Sequence, residues 1–127
     1  AWDVFPAEDW TLSNHVTEFS DCFYREGKGD ADLLVANIAF AEEMSARGLT
    51  AADLGAVQLW PRAGAPAGIE NAISFKWITG YPSLSAYANF TNVWWNEGLI
   101  TAWNALYGDI VACDSGRVYQ SQVINRP

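Results

Sequence analysis

His15 is the only histidine in the chain and the one side chain whose ordinary pKa lies near neutrality. Asn14 precedes it, and Glu18 lies a short way further along the same segment. An imidazole near a carboxylate can work as a general base. The same residue can equally be an exposed strand-end histidine with no chemical role. Lys76 is the second candidate, because it stands between Phe75 and Trp77 in an apolar stretch. A partly buried lysine can bind a carboxylate or serve as a base. It can also snorkel at a sheet edge, with its ammonium in water.

Other chemistries find little support. Glu42 and Glu43 are sequence neighbours on a helix, so they point apart and cannot flank a glycosidic bond. No GxSxG context surrounds a serine, and no glycine-rich phosphate loop occurs. One histidine and two cysteines, without CxxC or HExxH, supply no familiar metal set. No metal and no cofactor are expected.

The aromatic residues are the larger signal. Tyr87, Phe90, Trp94, Trp95 and Trp103 fall in one helical region, and Trp60 and Trp77 on strands that could pack against it. Seven tryptophans are more than a core of 127 residues needs. These rings either fill the interior or line an apolar pocket.

Charge is segregated from the rings. Residues 1–53 hold 11 acids and three bases, Arg25, Lys28 and Arg47, so they carry the whole net charge of −8. Residues 54–127 hold four acids and four bases and are neutral. The acidic half reads as a solvated face, or as a funnel for a cationic ligand. Such a balance argues against nucleic acid and against anionic membrane surfaces as partners. No apolar run reaches the roughly 18 residues of a membrane span. The sequence opens Ala1-Trp2, which fits a chain freed of its leader, periplasmic or secreted. Cys22 and Cys113 then read as one disulfide or as two buried thiols. The sequon Asn89-Phe90-Thr91 falls in a helical pattern and is treated as chance.

The elements that must position these residues follow from periodicity. Residues 1–14 read as an extended arm that packs Trp2, Phe5 and Trp10 on a single domain spanning 15–127. That arm could close a pocket, extend a dimer or lead from a preceding domain. Residues 16–25 read as a strand, closed by a turn at Glu26–Gly29. Residues 31–47 repeat at helical spacing: Leu33, Ala36, Phe40 and Met44 make a stripe, with Leu34, Ile38 and Ala41 beside it. Asp30 or Asp32 caps this helix, and Thr50–Asp53 forms a further capping box. Strands follow at 56–62 and 72–79, joined by the loop 63–68. Helical patterns cover 84–97 and about 99–110, with Gly98 as a break. The first has Leu84, Tyr87, Ala88, Thr91, Trp94 and Trp95 near one side. A last strand covers 116–125.

The order β-α-β-β-α-β predicts an α+β, ferredoxin-like fold: a four-stranded antiparallel sheet with its helices on one face. The last strand then lies antiparallel beside the first, which brings Cys22 close to Cys113. A bridge there closes about 90 residues and is worth on the order of 3–4 kcal/mol. Both faces of the strands carry apolar groups, so a sheet-to-sheet homodimer would cover the second face.

The element order resembles the dimeric α+β barrel superfamily. Tyr24-Arg25-Glu26-Gly27-Lys28-Gly29, the aromatic third strand and Ala112-Cys113-Asp114-Ser115 resemble small exported proteins of uncertain function from marine bacteria. The resemblance covers about residues 14–126. It implies a ligand space between sheet and helices, and relatives of several chemistries. The haem-degrading branch uses a histidine on the second helix. None occurs in 84–110, which argues against haem.

Two functional expectations result. The first is a binding protein for an apolar, fatty-acid-like or polyketide-like molecule, lined by Trp60, Trp77, Tyr87, Phe90, Trp94, Trp95 and Trp103. The alternative is a cofactor-independent monooxygenase or cyclase that uses His15 or Lys76.

Overall fold

In the computed structural model, residues 15–61 and 74–121 are described in full, and residues 2–5 as backbone. The strands are β1 (Trp2–Phe5), β2 (His15–Tyr24), β3 (Gly55–Leu59), β4 (Phe75–Tyr81), β5 (Val111–Cys113) and β6 (Arg117–Ser121). The helices are α1 (Asp30–Ala46), α2 (Leu84–Asn96) and α3 (Leu99–Tyr107). The fold is α+β. One open antiparallel sheet runs β1-β3-β4-β2-β5, and β6 also pairs with β2.

β2 organises the sheet because it is the longest strand and has neighbours on both sides. Val16–Cys22 pairs with Tyr81–Phe75 of β4 on one side. On the other, its late part pairs with β5 and its early part with β6. β5 is thus a short additional strand ahead of the last strand expected at 116–125, and the pairing with β2 breaks at 114–116 before β6 begins. The break follows from side-chain demands: Asp114 turns back to accept from the Asp21 N–H at 2.7 Å, while its own N–H donates to Asp21 O. The start of the arm is a strand on β3, at the sheet edge. Trp10, Asn14, the loop 63–68 and the end of the last strand lie outside the described residues.

Cys22 stands directly opposite Cys113, and the two form a disulfide across β2 and β5. The pairing follows from strand order, since only a last strand beside the first puts these positions in register.

The helices form where the sequence caps them. α1 begins after Gly29, whose N–H donates to the Asp32 carboxylate at 3.0 Å, so the cap comes from the third residue of the helix. Asp30 instead accepts from the Tyr24 hydroxyl. The stripe Leu33, Ala36, Phe40 and Met44 is buried. Leu34 and Ile38 are not: the helix turns them, with Val35, toward solvent. Asn37 interrupts the stripe without breaking it. Its amide exchanges hydrogen bonds of 2.7 and 3.1 Å with Gln58 of β3 and accepts from the Tyr107 hydroxyl of α3 at 2.7 Å. Each buried polar group of this trio has a partner, which is the condition for tolerating it in a core.

Ser83 caps α2 by accepting from the Ala86 N–H at 3.1 Å. Gly98, at φ +77°, takes the left-handed turn that lets α3 start with only Glu97 and Gly98 between it and α2. Arg47 at the end of α1 donates to Glu97 O at 2.7 Å and pairs with Glu43 at 2.6 Å. It thereby fastens α1 to the α2–α3 link. The Thr50–Asp53 box forms as expected, with the Thr50 N–H donating to Asp53 at 2.7 Å.

Candidate functional site

Strand alternation sorts the site. On β2, Val16, Glu18, Ser20 and Cys22 face the helices, and His15, Thr17, Phe19, Asp21 and Phe23 face away. On β4, Phe75, Trp77, Thr79 and Tyr81 share the helix side, and Lys76 and Ile78 the other. Between the helix side of the sheet and α1, α2 and α3 lies a cavity of about 430 Å³. That is within the range of small-molecule sites, roughly 300–1,000 Å³.

Six of the seven aromatics singled out from sequence line it: Trp77, Tyr87, Phe90, Trp94, Trp95 and Trp103. Trp95 is 63% exposed and stands at the rim. Trp60 does not line it and packs against Phe75 at 5.7 Å instead. The rings form a continuous series. Tyr81 meets Tyr87 at 5.2 Å and Phe90 at 5.3 Å, and Phe90 stacks on Trp94 at 5.9 Å. Trp94 meets Trp103 at 6.3 Å, and Trp103 meets Trp77 at 6.4 Å and Tyr107 at 5.2 Å. Rings at these spacings hold one another's orientation, so the wall is preformed.

The polar groups of the cavity were not foreseen as a set. Glu18 lies across from Thr79 on β4 and from Val118 on β6. Burial pushes its carboxyl above the ordinary value of 4.5, and the facing Tyr81 hydroxyl pulls it partway back. Tyr81 is fully buried. Burial, then the charge of Glu18, raises its hydroxyl far above the usual tyrosine range. The contact between them falls short of a well-formed hydrogen bond. Among the described residues Tyr81 Oη therefore lacks a full partner. Gly116, in the link between β5 and β6, leaves the room Glu18 occupies: a Cβ there would stand 2.0 Å from Glu18 Oε1. The signal available in sequence was a lone Glu amid β-branched and aromatic residues at strand spacing. What hid it was the pairing with His15, which the odd spacing of 15 and 18 sends to the opposite face.

His15 and Lys76 both face away from the cavity. Lys76 Nζ pairs with Asp21 at 2.8 Å, and Arg117 reaches the same carboxylate at 3.1 Å and Asp114 at 2.8 Å. His15 lies opposite Ser121, near the far end of β2. Six positions along β2 separate it from Asp21, the partner of Lys76, or about 20 Å at strand rise. The sheet does not bring the two together. No group of His, Cys, Asp and Glu suited to a metal ion occurs among the described residues.

No protein-family model matches the chain, and no curated protein is significantly similar to it.

Proposed function

We propose that this protein binds an apolar small molecule, with a fatty-acid-like chain or a polyketide-like ring system, in the cavity between sheet and helices. The observation that carries the reading is the aromatic wall around about 430 Å³, made by rings from β4, α2 and α3. Trp77, Trp94, Trp95 and Trp103 make binding visible in intrinsic fluorescence. Titration with a naphthalene derivative is expected to quench that emission saturably and Trp103→Ala to weaken the effect at least tenfold. Non-saturating quenching, unchanged in the variant, would remove the reading.

The strand order β3-β4-β2 with β5 and β6 beside β2 supports a ferredoxin-like description with an added edge strand. The outer sheet face supports a homodimer paired sheet to sheet. Phe23 and Tyr119 are 48% and 54% exposed there, and Phe19 meets Tyr119 edge to face at 5.6 Å. The Cys22–Cys113 disulfide supports an exported protein. No helix among the described residues is long and apolar enough to cross a membrane.

A further inference from the structure

An apolar ligand alone leaves Glu18 unexplained. Among the described residues lining the cavity, Glu18 and Asp114 are the only charged ones, and no Lys, Arg or His joins them. Asp114 is already engaged by Arg117 at 2.8 Å and by the Asp21 N–H at 2.7 Å. Among the described residues Glu18 faces the Tyr81 hydroxyl alone, itself fully buried and short of a full partner there.

A closed ligand over these groups must answer two costs. A neutral apolar molecule would strip water from a carboxylate and give nothing back. A fatty acid that presented its own carboxylate here would set like charges together in an apolar space. A cation answers both. Its charge compensates Glu18, and its N–H groups satisfy Glu18 and Tyr81 Oη together. The ring faces of Trp77 and Trp94 carry partial negative charge and favour a cation in the same volume. Gly116 permits the seat, because a side chain there would displace the Glu18 carboxylate.

We propose that the ligand is an amine: an apolar body ending in a protonated primary or secondary ammonium, which donates to Glu18 and to Tyr81 Oη. This deepens the small-molecule reading above and rests on it.

The test compares three probes of one shape: 1-naphthylmethylamine, 1-naphthalenemethanol and 1-naphthoic acid, each titrated by tryptophan fluorescence at pH 7.5. The amine is expected to bind at least tenfold tighter than the alcohol, and the acid more weakly than either. Glu18→Gln is expected to erase the amine's advantage over the alcohol. Gly116→Ala pushes the Glu18 carboxylate from its seat and should reduce the same preference, which serves should Glu18→Gln fail to fold. The advantage should fade as pH drops through the Glu18 range. The other titratable groups facing that space are Tyr81 on β4, Tyr87 on α2 and Asp114 in the β5–β6 link. Saturable binding of all three probes with no amine preference overturns the amine and keeps the cavity. A preference for the acid, or an amine preference that survives in both variants, also overturns it. Failure of every probe to bind saturably overturns both readings.

Discussion

Glu18 and Asp21 lie three positions apart on β2 and on opposite faces of the sheet. On the outer face Asp21 meets Lys76 at 2.8 Å and Arg117 at 3.1 Å, and a second acid, Asp114, shares Arg117. On the helix face Glu18 shares the cavity lining with aromatic rings and faces the Tyr81 hydroxyl. The outer face balances its charges within the chain and can be covered by an apolar partner. The inner face leaves one charge to be balanced from outside. The difference teaches that the acidity of this chain is not uniform in meaning: one carboxylate is paired within the fold, the other lines the cavity.

The largest expected effect concerns what the two faces share. The Cys22–Cys113 bond ties β2 to β5 and so sets the break that carries Asp114 and Gly116. Replacing both cysteines with serine is expected to cost about 3–4 kcal/mol in urea denaturation, from loop entropy returned to the unfolded chain. A cost below about 1 kcal/mol would mean that strand pairing alone holds β5 and that the bond adds little beyond it.

Next comes a variant that should disturb one face only. Phe19→Asp introduces a charge on the outer face, between the apolar groups proposed to meet a second copy. The dimer dissociation constant, read by sedimentation equilibrium, is expected to rise at least a hundredfold, about 2.7 kcal/mol. Probe binding in the cavity should not move. A parent chain that sediments as a monomer at high concentration would break the proposed pairing and leave the cavity reading intact.

A smaller effect separates the faces by pH. Burial raises Glu18, so the folded chain takes up this proton before the unfolded chain does. Its contribution therefore destabilises the fold above its raised value and disappears as pH falls to the ordinary 4.5. Asp114 runs the other way. Burial raises it, but Arg117 and the Asp21 N–H together outweigh that and hold it below 3.8. Its contribution is present above 3.8 and is lost as pH falls toward the folded value. Glu18→Gln should flatten the first slope and add a modest stability at pH 7, on the order of 0.5 kcal/mol after solvent screening. Urea midpoints from pH 3 to 8 check the sign. A Glu18→Gln chain less stable than the parent at pH 7 would place Glu18 among the structural acids.

Much of this was legible in sequence, and the reasons for the rest are physical. The α1 stripe, the capping boxes, the order of elements and the Cys22–Cys113 proximity follow from periodicity and from strand order. Six aromatics converge on one cavity because helix spacing and strand alternation each aim side chains in a known direction. Sequence could not reveal that Asn37, Gln58 and Tyr107 find one another, because their partnership depends on the depth of three separate elements. Nor could it reveal the break at 114–116, which depends on Asp114 turning toward Asp21. Helical spacing puts Leu34 and Ile38 beside the buried stripe, and the helix turns them outward. The face each candidate takes depends on strand alternation and not on its chemical type. His15 and Lys76 carry reactive groups, but alternation gives the cavity to Glu18 and Tyr81.

The smallest expected effect is the sharpest test of that last point. Lys76→Gln removes the ammonium beside Asp21 and leaves Arg117 to hold the carboxylate. Lys76 is partly exposed, so the stability cost should stay below about 1 kcal/mol. Probe affinity should change less than twofold, because the side chain lies on the far side of the sheet from every ring of the wall. His15→Ala should be equally silent in binding. A tenfold loss in either variant would mean that the outer face reaches the ligand, either through the sheet or through a second copy, and the division between a paired and a cavity-lining acid would have to be redrawn.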